Sequence, residues 1–161
     1  SFTMTAPPNS APTMVATRPR PLLMVPTSVS VNPGPRNRKV VVSEPAHALM
    51  QGVPAKFALQ DELYYSEPDA QGSPIKVLAT AHSNKAKSGT GVHEPMIWTV
   101  SYGKGRVFHT PMGHGNDSQE CVGFITSLQR GAEWAATGKV TQKIPEDFPG
   151  DGEVKSRKFA Q

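Results

Sequence analysis

The stretch from Met96 to Thr110 most constrains the fold, because an alternating run, Met96 to Tyr102, meets a second run, Arg106 to Thr110, across Gly103-Lys104-Gly105. Period-two alternation marks strands and a glycine-bracketed link marks a tight turn, so the stretch reads as a hairpin. The link lacks the long glycine-rich loop and trailing Ser or Thr of a phosphate-binding motif, and its glycines belong to turn chemistry. Gly89-Thr-Gly91 likewise has no following helix to present amide groups to a phosphate. The polar loop entering the first strand carries His93-Glu94, the second strand ends on His109, and His114 sits between Gly113 and Gly115. Three of the five histidines therefore fall on strand ends and turns, where side chains can converge on a cleft.

Around this hairpin the remaining elements are short. Lys39 to Ser43 is an apolar run suited to a buried strand, and Pro45 opens a single helical turn that Gly52 and Pro54 close. Phe57 to Tyr65 and Ile75 to Thr80 read as further extended segments. Asp117-Ser118 caps a helix running to about Thr137, stopped by Gly138. Its apolar residues Cys121, Phe124, Ile125, Leu128, Ala132 and Ala135 follow the helical repeat and predict one buried stripe. Cys121 then belongs to the core, behaving as a small hydrophobe, not as a nucleophile at an exposed elbow.

Composition divides the chain unevenly. Residues 1–38 hold eight prolines, one aromatic and no acidic residue, so they read as an irregular or disordered leader. Residues 39–148 form the domain, and 149–161 read as a flexible tail. The formal charge of +4 lies entirely on Arg18, Arg20, Arg36 and Arg38, so the basic balance belongs to the leader. Without clustered cations and interleaved aromatics on a folded face, a nucleic-acid partner is not expected. No apolar run approaches the length of a membrane span, and no signal peptide is visible, which favours the cytoplasm. The single cysteine excludes an internal disulfide.

The motifs Asp61-Glu62-Leu63-Tyr64, Gly89-Thr-Gly-x-His93-Glu94-Pro-x-x-Trp98, Ser101-Tyr-Gly-Lys-Gly-Arg-Val-Phe-His109-Thr, Gly113-His114 and Cys121-Val-Gly-Phe through Gly138-Lys-Val together resemble the ThuA-like, or trehalose-utilisation, family. The resemblance covers roughly residues 40–148. It implies an α/β, flavodoxin-like fold of the class I glutamine amidotransferase type: a mostly parallel sheet with flanking helices, here holding only the later part of the domain. It also implies a role in carbohydrate utilisation, on trehalose or a related keto-disaccharide, by acid/base or hydrolytic chemistry without a cysteine nucleophile. A truncated domain that binds sugar, or persists as a structural remnant, is the alternative.

The expected partner is thus a small sugar. Catalytic candidates are His114, His93 and His109, whose imidazoles titrate near neutrality, with Glu94 orienting an imidazole. Asp61, Glu62, Tyr64 and Trp98 are the candidates for holding the sugar, by hydrogen bonds to hydroxyls and by stacking on a ring face. Asp61 and Glu62 are adjacent and point to opposite sides of an extended chain, so they do not make a glycosidase carboxylate pair by themselves. His47 and His82 read as surface or turn residues. With no His-Glu-x-x-His and no paired cysteines, no metal site is assigned, and the residues name no cofactor.

Overall fold

A computed structural model describes residues 30–32, 37–65 and 74–159 of the chain. Most of the segment read as a leader, residues 1–29 and 33–36, lies outside them. Seven strands and two helices follow in order: β1 (Ser30–Asn32), β2 (Asn37–Val42), β3 (Lys56–Gln60), β4 (Leu63–Tyr65), β5 (Ile75–His82), β6 (His93–Tyr102), β7 (Gly105–His109), α1 (Asn116–Gln119) and α2 (Val122–Thr137). Five strands form one sheet in the order β3-β2-β5-β6-β7, while β1 pairs with β4 in a separate ribbon.

Every pairing in the sheet is antiparallel. The mostly parallel, flavodoxin-like sheet implied by the amidotransferase-type resemblance is therefore corrected: the sheet curls like half a barrel. For the β5–β6 and β6–β7 pairs, connection lengths give the physical reason. A parallel pair needs a crossover of a dozen or more residues, usually a helix, whereas two residues suffice for an antiparallel hairpin. Gly103 and Lys104 alone separate β6 from β7, and a polar loop with one 3-10 turn, Lys85–Lys87, links β5 to β6. Between β2 and β3 the chain makes only the tight turns around His47 and Met50.

Strands β3 and β6 are buried on both faces, with Phe57, Ala58 and Leu59, and Met96 through Thr99, all covered. Val40, Leu49, Phe57, Leu59, Leu63, Leu78, Met96 and Ile97 are all essentially inaccessible to solvent. Along β2, Asn37 and Lys39 face out while Arg38 and Val40 face in, the alternation that a half-buried strand requires. Phe124 and Trp134 of α2, with Phe148 and Val154 after it, pack against this core.

The helix differs from its sequence reading in two respects. It breaks at Cys121, which has extended backbone and caps α2, so α1 is a separate single turn. The buried face of α2 is also not the apolar stripe: Val122, Gly123, Thr126, Ser127, Arg130 and Gly131 are buried, while Leu128 is 44% exposed. Small residues prevail because the helix lies close to aromatic rings. A Cβ on Gly131 would fall 2.5 Å from the Phe108 ring, and one on Gly123 would fall 3.0 Å from the Phe57 ring. Arg130 is buried with them and donates to the carbonyls of Ala48, Leu49, Gln51 and Gln142. Three of those carbonyls, of Ala48, Leu49 and Gln51, belong to the turn near residue 50, and a planar guanidinium with five donors can satisfy several at once.

The described part of the tail, residues 149–159, runs back over this layer. Ala58 donates to Gly150, Val122 to Lys155 and Arg157 to Glu120 through backbone amides, and Cys121 forms an isolated bridge with Ser156. Pro149 is fully buried, and Phe148 packs edge-on against Phe57 at 5.2 Å. No described helix is long and apolar enough to cross a membrane.

Candidate functional site

Asp61 and Glu62 form the whole link between β3 and β4, and their side chains diverge. Asp61 turns inward and is fully buried; its Oδ1 accepts the Glu62 amide at 2.8 Å and its Oδ2 the Gly113 amide at 2.6 Å. Arg38, also buried, donates from Nε to the Asp61 carbonyl at 3.2 Å. Burial pulls the Arg38 pKa down, while the carboxylates of Asp61 and Glu62 push it back up. Two buried side chains thus hold the β3–β4 corner against the loop that follows β7.

That loop is built to present His114. Thr110 Oγ1 donates to the Met96 carbonyl at 2.8 Å, tying the start of the loop to β6. Gly113 adopts a left-handed φ of 97° beneath Phe124, where an added Cβ would lie 2.6 Å from the ring. Only glycine satisfies both the dihedral and the space. Gln119 Nε2 donates to the Gly113 carbonyl at 3.1 Å, so the turn is held from both sides.

Glu62, Tyr64 and His114 then meet at the surface. Glu62 and Tyr64 are two apart along an extended segment and share a face. The Tyr64 hydroxyl donates to Glu62 Oε2 at 3.0 Å and lies 2.5 Å from His114 Nδ1. His114 Nε2 lies 3.6 Å from the same Glu62 oxygen, and the Tyr64 and His114 rings are 5.6 Å apart. Burial, the bond to Glu62 and the nearby negative charge of Glu62 and Asp61 push the Tyr64 phenol up to about 12. The phenol therefore stays protonated at neutral pH and acts as a donor. His114 remains more than half exposed, open to a ligand. A neutral donor, an imidazole and a carboxylate within hydrogen-bond reach can move a proton to or from an oxygen placed among them.

The other candidates sit elsewhere. His93 and Glu94 are neighbours in β6, and alternation separates them: His93 is exposed while Glu94 is buried. Glu94 accepts from Thr90 Oγ1 at 2.5 Å, whereas His93 Nδ1 pairs with Thr80 Oγ1 at 3.1 Å. His109 lies opposite Trp98 in the ladder and stacks on it, with centroids 4.1 Å apart and planes at 22°. Burial lowers the His109 pKa, favouring the neutral ring. Trp98 is nearly covered, so its face meets His109 before any ligand. Asp61 likewise meets backbone amides, not solvent. The three histidines thus belong to three separate contacts. Cys121 is buried, with its thiol pushed up chiefly by burial.

Sequence reasoning missed the braces of this site. Arg38 falls in the compositionally biased segment, and nothing in the sequence around Gln119 or Gln60, whose Nε2 donates to Asp117 Oδ2 at 2.9 Å, marks either as a brace. Only the glycine beside His114 signalled a constrained loop. Among the described residues no group of three or more His, Cys, Asp or Glu side chains could hold a metal ion.

Residues 13–135 match the model of the ThuA family, described as trehalose utilisation. The match begins within the proline-rich segment. A crystal structure of a protein described as ThuA-like from Parabacteroides merdae is similar to this chain, with a TM-score of 0.73 and 36% identity. The similarity covers 81% of this chain and 48% of that one, so the chain spans about half the length of that relative. No curated protein matches the sequence.

Proposed function

Because the chain belongs to the ThuA, or trehalose-utilisation, family, we propose that its Glu62-Tyr64-His114 cluster acts on a disaccharide of the trehalose type or its keto derivative. The observation that carries this reading is the Tyr64 hydroxyl, set 2.5 Å from His114 Nδ1 and 3.0 Å from Glu62 Oε2. His114 serves as the general acid or base, since its exposed imidazole stands within hydrogen-bond reach of Tyr64 and is open to a ligand. Tyr64, whose one proton goes to Glu62 Oε2, accepts from a sugar hydroxyl, and Glu62 holds the phenol in register. Glu62 and Tyr64 are then the residues that touch the sugar, while Asp61 positions the loop bearing His114.

Purified protein incubated with trehalose and with 3-keto-trehalose, followed by proton NMR, tests this reading. We expect conversion of at least one sugar, with turnover reduced about 100-fold or more in His114→Ala, the scale of a lost general acid or base. Wild-type turnover in His114→Ala would overturn the assignment. Calorimetric binding of either sugar without conversion would replace catalysis by sugar binding.

A further inference from the structure

His82 ends β5 and His93 begins β6, and the two are directly paired across the ladder. Both side chains are exposed on the same face. Their rings lie 5.4 Å apart with planes at 60°. The backbone holds this spacing from both directions. On the strand side Ala81 pairs with Glu94. On the loop side Ser83 donates to Val92 at 2.8 Å and Gly91 donates to Ser83 at 2.7 Å. Neither histidine has a place in the Glu62-Tyr64-His114 cluster.

We infer that His82 and His93 form a two-point chelate for a borderline divalent transition-metal ion such as Zn²⁺ or Ni²⁺. The Zn–N distance is about 2.0–2.1 Å, and two imidazoles bound tetrahedrally through Nε2 place their ring centroids about 5 Å apart. The observed centroid separation of 5.4 Å matches that spacing. Thr80 Oγ1 lies 3.1 Å from His93 Nδ1, so this nitrogen has a fixed partner and Nε2 is left as the donor. Ligating histidines are commonly held this way, their second nitrogen bonded to a neighbouring oxygen that sets tautomer and ring orientation. Imidazole nitrogens suit Zn²⁺, Ni²⁺ and Cu²⁺ and discriminate against Mg²⁺ and Ca²⁺, which take oxygen ligands. Water completes the coordination. Because the strands already fix the distance, binding orders only two side chains and clamps the β5–β6 hairpin at the base of its loop.

Isothermal titration of ZnCl₂ into the full chain, with MgCl₂ as the comparison, tests the site. One Zn²⁺ per chain is expected, with no Mg²⁺ response. His82→Asn and His93→Asn should each abolish the measured affinity. Thr80→Val should weaken it about 10-fold, the scale of a lost orienting partner. His114→Gln should leave it unchanged. Independently of how the variants fold, selective broadening of the His82 and His93 imidazole signals in the wild-type protein on adding Ni²⁺ provides a second measurement. Zn²⁺ affinity that survives both asparagine variants, affinity lost only with His114→Gln, or no uptake by the wild type would each overturn the chelate.

Discussion

A single phenol carries the most specific chemistry at the residue scale. Tyr64 has its pKa raised from 10.0 to about 12 because the folded environment favours its neutral form. A group whose folded pKa exceeds its unfolded value contributes stability that is complete below the unfolded value and lost as pH climbs through the folded one. Resistance to denaturant should therefore fall between pH 10 and about 12, and the fall should be shallower in Tyr64→Phe; equal slopes in urea unfolding at pH 9 and 11.5 would refute this. Sequence showed the parts of this site but not their meeting. Tyr64 and His114 are far apart along the chain, and nothing local indicates that the buried Asp61 pulls their two segments together through the Gly113 amide. At His93-Glu94 adjacency in sequence points to cooperation, whereas β6 begins at His93 and sends the two side chains to opposite faces.

Elements were legible where periodicity and turn chemistry agreed. The Gly103-Lys104 hairpin was visible, and it already implied antiparallel pairing; the parallel expectation came from the fold attributed to the family, not from these residues. Helix α2 was harder to read, because hydrophobic periodicity assumes that the larger apolar face is the buried one. Here close approach to Phe57 and Phe108 selects Gly123 and Gly131 instead, leaving Leu128 outward. In an open helix interior Gly→Ala gains up to about 1 kcal/mol. Gly131→Ala should instead destabilise by about 1–3 kcal/mol through overpacking against Phe108. Leu128→Ala should cost about 0.5 kcal/mol or less, as for an ordinary surface change. Denaturant unfolding of the two variants checks the contrast, and a stabilised Gly131→Ala would show that the helix can lift from the sheet at no cost.

The whole molecule is held together by segments distant in sequence. Arg130 binds α2 to the turn near residue 50 and to Gln142, and residues 149–159 cross the helix layer to meet β3 and the start of α2. A polar, proline-punctuated end gives no periodic signal, which is why this packing was not legible. Hydrogen exchange should show the Val122 and Arg157 amides, each bonded across this junction, exchanging as slowly as those of β5 and β6; rapid exchange at both would mean that the end detaches independently. The stacking of Trp98 on His109 also reaches beyond packing. The other tryptophan, Trp134, lies 5.3 Å from His47, so both indoles of the chain adjoin an imidazole whose pKa burial has lowered. A protonated imidazole against an indole draws off its excited-state electron, so the protein carries a built-in optical pH indicator. Its emission should hold steady at neutral pH and dim as pH falls below 6.5, while the fold is still intact.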